Sequence, residues 1–326
     1  WPKEKLSYDK PGSSRLWDWG AWYDRDAEVP DAQTAAWAAG QIRELAKSDQ
    51  PFFLAVGLSL PHVPLYVPRK WFDLYPRDHV QLPAVRPDDL NDISPFALRL
   101  TYSGAAPRHR WFVEHNQWRH AVQAYLACIS FVDQCVGTVL QAIDESGVAE
   151  NTLIVVWSDH GFHLGEKQRW AKRSLWEEST RSPLWMAGPG IAQGATCRRP
   201  VGLIDVYPTL LECCGLPPRP ELEGQSLQPL LKDPNSAWNR PVVTTFGPNN
   251  HAVRSEHWRY IRYADGSEEL YDHRQDPHEW RNLAGNPQYA DVIAWHARWL
   301  PKVNAELAPG SSGSGTPLYR EEEVAR

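Results

Sequence analysis

The sequence predicts an α/β protein: a mixed sheet flanked by helices, followed by a smaller antiparallel sheet. Three observations carry this. Apolar runs of strand length near 52–58, 153–157 and 183–187 alternate with helical patterns. The apolar residues Val122, Leu126, Ile129, Val132, Val136, Leu140 and Ile143 recur at helical spacing. Beyond about Pro234 the text changes to short strands broken by turn residues.

The elements follow in order. Residues 16–22 read as an irregular aromatic loop. Asp31 is expected to cap an alanine-rich helix that runs to about Lys47 and stops before Pro51. The run Phe52–Leu58 is a predicted strand with both faces covered, since it does not alternate. Prolines at 61, 64 and 68 stiffen the next loop and hold His62 in place. Residues 77–117 show little periodicity, as a functional excursion would. The helix over 119–146 ends at Gly147, and a second strand, 153–157, runs into Ser158-Asp159-His160-Gly161. A third strand spans 183–187, and a short helix spans Asp205 to Cys214. Strands at 242–246, 251–254, 258–263 and 269–272 follow, with an Asp265-Gly266 hairpin signal between the last two. A helix from about Pro287 to Leu300 closes the fold, and 309–326 reads as a flexible tail. The expected division is 1–233, 234–308 and 309–326, with no internal repeat.

Composition narrows the function. The chain has 326 residues, with 34 Lys and Arg against 40 Asp and Glu, a net charge of −6. That balance excludes the basic footprint of a nucleic-acid binder. No uninterrupted apolar run approaches the roughly 18 residues of a membrane helix, so no membrane span is expected. Five cysteines include no Cys-x-x-Cys pair, and Cys128 and Cys135 fall in an apolar helical pattern as small core residues. Seventeen tryptophans can serve sugar stacking or simply fill the core and its rim. The chain opens on Trp1, with no basic-then-apolar signal segment, and is therefore expected to begin partway into a longer protein.

Polar chemistry gathers on two loops that leave predicted strand ends, where open α/β sheets bind ligands. One holds His62; the other holds Asp159, His160, His163, Glu166 and Lys167, with Lys172 just beyond. A carboxylate can bind a divalent metal, an imidazole can bind metal or pass a proton, and a lysine can hold an anionic oxygen. Together they suggest metal-assisted attack on an anionic ester. Singly each has a plain reading: a hydrogen-bonded loop histidine, an Asx-capped turn, a solvated lysine.

The ordered set resembles the sulfatases of the alkaline-phosphatase-like superfamily, most nearly bacterial iduronate-2-sulfatase-like members. The matching segments are 51–57 leading into Pro61-His62-Val63-Pro64, then 158–167 continuing through Trp170-Ala171-Lys172 to Leu175-Trp176-Glu177-Glu178. Residues 203–212, 222–227, 270–272, 276–277 and 279–283 match as well. The resemblance implies an alkaline-phosphatase-like fold and assigns roles. Asp159 and His160 would form half of a metal site that usually holds Ca2+. His62 and Lys172 would hold the sulfate and ester oxygens, with His62 protonating the leaving alcohol. His163, and His251 in the second domain, would edge the substrate.

The resemblance also exposes an absence. Sulfatases carry a Cys- or Ser-x-Pro-Ser/Ala-Arg motif whose first residue becomes formylglycine, the nucleophile. None of the five cysteines, nor Ser94 or Ser182, opens that motif, and no aspartate pair that would open the metal site follows a buried strand. The expectation is the rear two-thirds of a sulfatase, inactive alone, with the formylglycine and the other Ca2+ ligands in a missing N-terminal segment. The implied substrate is a sulfated carbohydrate, and the implied location periplasmic or extracellular. Alternatives are a phosphatase or phosphodiesterase of the same superfamily, or a catalytically dead glycan-binding protein.

Overall fold

The structure is a computed structural model describing residues 2–8, 14–101 and 106–305. In chain order it holds β1 (Trp19–Ala21), α1 (Pro30–Leu45), β2 (Leu65–Val67), α2 (Arg69–Asp73), α3 (Pro95–Thr101), α4 (His109–Glu114) and α5 (Trp118–Glu145). There follow β3 (Ile154–Trp157), β4 (His163–Leu164), β5 (Trp170–Ala171), α6 (Glu177–Thr180), β6 (Leu184–Ala187), α7 (Val206–Cys213) and α8 (Gln228–Lys232). The last elements are β7 (Val242–Thr245), β8 (His251–Arg254), β9 (Trp258–Arg262), β10 (Glu268–Asp272) and α9 (Ala290–Ala297). The chain divides into two compact units, one of residues 1–83 and 105–152, the other of 84–104 and 153–326. The predicted tail at 309–326 lies outside the described residues.

In the first unit, α1 packs along α5. Ala35, Ala38, Ala39 and Ile42 face Ala121, Ala124 and Cys128 in a buried seam, where small side chains let the helices approach closely. Trp118–Glu145 has the length and composition to cross a bilayer, although its sequence is not an unbroken apolar run. Its buried stripe packs on α1, α2 and β2, as a core helix does. Cys128 and Cys135 are buried in that stripe, and all five cysteines are unpaired thiols.

Two expectations fail in this unit. Asp31 does not cap α1, which begins at Pro30. Its buried carboxylate reaches across to accept from the Ser59 and Leu60 amides at 3.0 and 2.8 Å. The segment 52–58 forms no strand among the described residues, and every second residue faces solvent, with Phe53 84% exposed. A run apolar on both sides needs cover on both faces, and here one face has none.

In the second unit, β7–β10 form an antiparallel meander in the order β10-β9-β8-β7. The period of two sorts its side chains. Ala252, Ile261 and Tyr271 pack on Ile93, Ala97 and Leu100 and on Leu175-Trp176. Val253, Tyr260 and Leu270 pack on the opposite side with Leu300, Tyr289, Val292 and Ile293. The sheet is thus covered on both faces. The Asp265-Gly266 turn closes β9 onto β10, with Gly266 at φ 85° and its amide on the Tyr263 carbonyl at 3.0 Å. β3 pairs antiparallel with β6, and β4 with β5. The predicted excursion at 77–117 contains α3 and α4, whose few periodic positions are too short to signal a helix.

Candidate active site

His62 sits at an exposed bend of the first unit, in a loop tied down at two points. Asp31 holds the Ser59 and Leu60 amides, and the His62 amide donates to the Ser59 carbonyl at 3.0 Å. Its Nδ1 lies 2.7 Å from the Val63 carbonyl oxygen. A carbonyl only accepts, so Nδ1 carries the proton and Nε2 is the nitrogen that faces outward. Next to this loop, the fully buried Asp18 accepts from Leu6 and Ser7 and from the Tyr66 hydroxyl. Burial would raise this carboxyl, but these donors outweigh it and hold it below the ordinary range.

In the second unit β3 delivers its carboxyl end into Ser158-Asp159-His160-Gly161. His160 Nδ1 is 2.8 Å from the Gly161 carbonyl oxygen, which fixes its tautomer in the same way as His62. Its Nε2 stands 3.5 Å from an Asp159 carboxylate oxygen. The Asp159 side chain is 74% exposed. One oxygen and one nitrogen donor thus converge on the open side of the loop. They suit a divalent cation, which would need further ligands beyond these two. Gly161 fixes the turn by contact: a Cβ there would lie 2.0 Å from the Glu178 carbonyl oxygen and 2.4 Å from that of Arg181. No other residue fits.

Lys172 is half-buried on the same unit. Burial lowers its ammonium below the usual range, and the nearby Asp159 carboxylate pulls the other way. The two predicted site groups therefore sense one another. The backbone around Lys172 is strained: Lys167, Gln168, Ala171 and Arg173 all have φ between 54° and 75°, a region that suits glycine. Strain of this kind persists only where surrounding contacts fix the chain. Those contacts are visible. Lys167 is buried, 2.8 Å from Asp89 and bonded to the Glu279 carbonyl. Gln168 donates to the Arg86 carbonyl at 3.0 Å.

His163 and His251 are buried. His163 Nε2 is 2.9 Å from Ser174 Oγ, which continues to Ser179 at 2.7 Å, and burial pushes the ring well below its usual basicity. His251 uses both nitrogens inside the fold, with Thr245 and with Asn304, each at 2.9 Å. His251 is thus spent on internal contacts, whereas the buried Nδ1 of His163 has no hydrogen-bond partner among the described residues.

The same unit holds an ionic network, largely buried, that residue spacing alone did not reveal. Arg259 bridges Glu279 at 2.5 Å and Glu177, while Arg254 pairs with Glu177 at 3.1 Å and His273 with Glu279 at 2.8 Å. Glu177, His273 and Glu279 have ligand atoms within 4.8 Å of one another. Two guanidinium groups already neutralise these carboxylates, so the cluster fits an ion-pair network better than a metal. The sequence signal for it is scattered, because Glu177 and Glu279 lie 102 residues apart.

A strand-end Asp-His pair and a lysine in electrostatic reach stand on a mixed α/β fold of the alkaline-phosphatase-like class. A family model described as sulfatase matches residues 4–216, and one described as N-sulphoglucosamine sulphohydrolase, C-terminal, matches 165–306. The chain belongs to the sulfatase family. It is 41% identical to a sulfatase of Formosa agariphila over 99% of its length, which is 65% of that protein. It is 32% identical to a choline-sulfatase of Rhizobium meliloti, covering 86% of this chain and 58% of the relative. Among solved structures it resembles a phosphonate monoester hydrolase from Silicibacter pomeroyi, with TM-score 0.75 and 25% identity over 89% of this chain and 62% of that one. The chain thus spans somewhat under two-thirds of these relatives. The family is shown; the iduronate-2-sulfatase-like subtype is not singled out.

Proposed function

We propose that these residues form part of a sulfuric ester hydrolase that removes sulfate from sulfated saccharides. The observation that carries the reading is the Asp159-His160 pair, with His160 Nε2 turned to the carboxylate and Lys172 within its field. The sugar reading is supported by the family model across 165–306. Asp159 and His160 would hold Ca2+, which when bound draws charge from the sulfuryl oxygens. Lys172 offsets the remaining negative charge there. His62, protonated at Nδ1 by its tie to Val63, donates from Nε2 to the leaving oxygen when that nitrogen also carries a proton. The nucleophile is a formylglycine that this sequence does not contain. His163 and His251 then act by positioning. We further place the working protein in the periplasm or outside the cell.

Sulfate release tests this. The purified 326-residue chain is expected to release none from a sulfated glucosamine, from choline sulfate or from an aryl sulfate; turnover by it would refute the missing nucleophile. A longer polypeptide that joins these residues to a formylglycine motif is expected to hydrolyse the sugar ester. Lys172→Ala and His62→Ala in it should each lower kcat by about 100-fold or more. A preference for phosphate or phosphonate esters over sulfate esters would favour the phosphoryl-transfer reading that the Silicibacter structure suggests.

A further inference from the structure

The second unit carries a cleft of about 470 Å³ that includes none of the candidate active-site residues. Four tryptophans line it: Trp238, Trp258, Trp295 and Trp299. Arg199 and Arg240 sit among them. Its volume falls in the range of small-ligand sites, roughly 300–1,000 Å³.

The lining is specialised. Trp299 is 38% exposed and lies 5.9 Å from Trp295, with the rings inclined at 54°, so the pair offers an angled aromatic wall. Trp238 is pinned at the rim by its Nε1 donating to the Pro200 carbonyl at 3.2 Å. Trp258 is backed by Tyr289 and by the Arg274 guanidinium. Indoles held this rigidly lose little freedom on binding. Arg240 is committed to Asp205 and the Glu223 carbonyl and serves as fixed wall. Among the described residues Arg199 pairs with Glu256, and both side chains are about one-third exposed. Asn239 and His257 add exposed hydrogen-bonding groups.

An aromatic wall matches the apolar C–H face of a pyranose, and a guanidinium matches the fork of a sulfate or carboxylate. A purely apolar peptide would offer nothing to the exposed Asn239 and His257 groups or to an Arg199 released from Glu256. We propose that this cleft is a second saccharide-binding site, separate from the catalytic loops, that takes one or two sugar units bearing an anionic group. The sulfated class of that sugar rests on the function proposed above. In this arrangement Trp299 and Trp238 hold the ring, and Arg199 exchanges its Glu256 partner for the ligand's anion.

Calorimetry on the intact chain tests it with three probes: a 6-O-sulfated N-acetylglucosamine disaccharide, its desulfated counterpart and inorganic sulfate. Trp299→Ala is expected to weaken the sulfated disaccharide at least tenfold. Glu256→Gln, which frees Arg199, is expected to tighten the sulfated sugar several-fold and leave the desulfated one unchanged. Lys172→Ala is expected to change affinity less than twofold. Far-UV circular dichroism confirms that each variant folds. Binding lost in Lys172→Ala and kept in Trp299→Ala would overturn the second site while leaving the catalytic reading intact. Equal affinity for both disaccharides would overturn the anion recognition, and no binding of either would overturn the proposal whole. Sulfate release by the longer polypeptide is measured separately, so failure of that activity is distinguishable from failure of the cleft.

Discussion

At the scale of single residues, three side chains set the site's tolerances. Gly161→Ala would press a methyl group into two carbonyl oxygens that cannot retreat independently. We expect a loss of about 2–3 kcal/mol in urea unfolding, together with weaker Ca2+ binding by titration. Lys167→Ala would leave Asp89 as a buried, unpaired carboxylate. The expected cost is about 3–5 kcal/mol, much of it recovered in Lys167→Ala with Asp89→Ala. Glu178 governs pH dependence. Burial, then repulsion from Glu279, Glu166 and Glu177, pushes its carboxyl up to about 8, and its Oε2 has no hydrogen-bond partner among the described residues. The folded chain therefore keeps a proton that the unfolded chain releases near pH ~4.3. Its contribution is full below that value and declines as pH rises toward 8, at most about 1.4 kcal/mol per pH unit. Glu178→Gln should flatten that decline between pH 5 and 8 in urea titrations.

At the scale of elements, the proposed acid His62 depends on a helix it does not belong to. Asp31 in the first turn of α1 holds the two amides that begin the His62 loop. Asp31→Ala would strand those amides, with an expected cost of about 1–3 kcal/mol and faster hydrogen exchange at Ser59 and Leu60. If exchange there is unchanged, Asp31 does not hold the loop. α5 and the β7–β10 meander were legible in the sequence, because long runs of period 3.6 and four alternating strands are strong signals. The apolar run 52–58 forms no strand among the described residues, because what covers and pairs a strand is a tertiary fact that an apolar run does not carry.

At the scale of the molecule, each unit shows apolar surface that its own core does not use. Phe53 is 84% exposed in the first, and Trp185 and Trp157 are 65% and 52% exposed in the second. Such exposure promotes association. Light scattering of the purified chain is expected to rise with concentration, and Phe53→Ser with Trp185→Ser to suppress that rise. Invariance under those changes would place the sticky surface elsewhere. The net charge of −6 does not draw an anionic ester, so under the proposed function its capture would fall to local charge such as Lys172 and a metal that Asp159 and His160 would hold.

Local pattern in the sequence carried the α/β class, most of the element order and the loops where chemistry could sit. These follow from local periodicity, turn residues and motif order. It also offered Asp159, His160, His62 and Lys172 as candidates, because each lies in a loop next to an apolar run or a strand end. Only the tertiary structure decided how histidines of the same type divide. His62 and His160 are each tethered at Nδ1 by a neighbouring carbonyl, whereas His163 and His251 are enclosed and bonded inward. It alone assembled the Arg259-Glu177-Glu279 network and the tryptophan cleft, whose members come from distant parts of the chain. Burial and pairing depend on which segments meet in space, and no spacing within one segment records that.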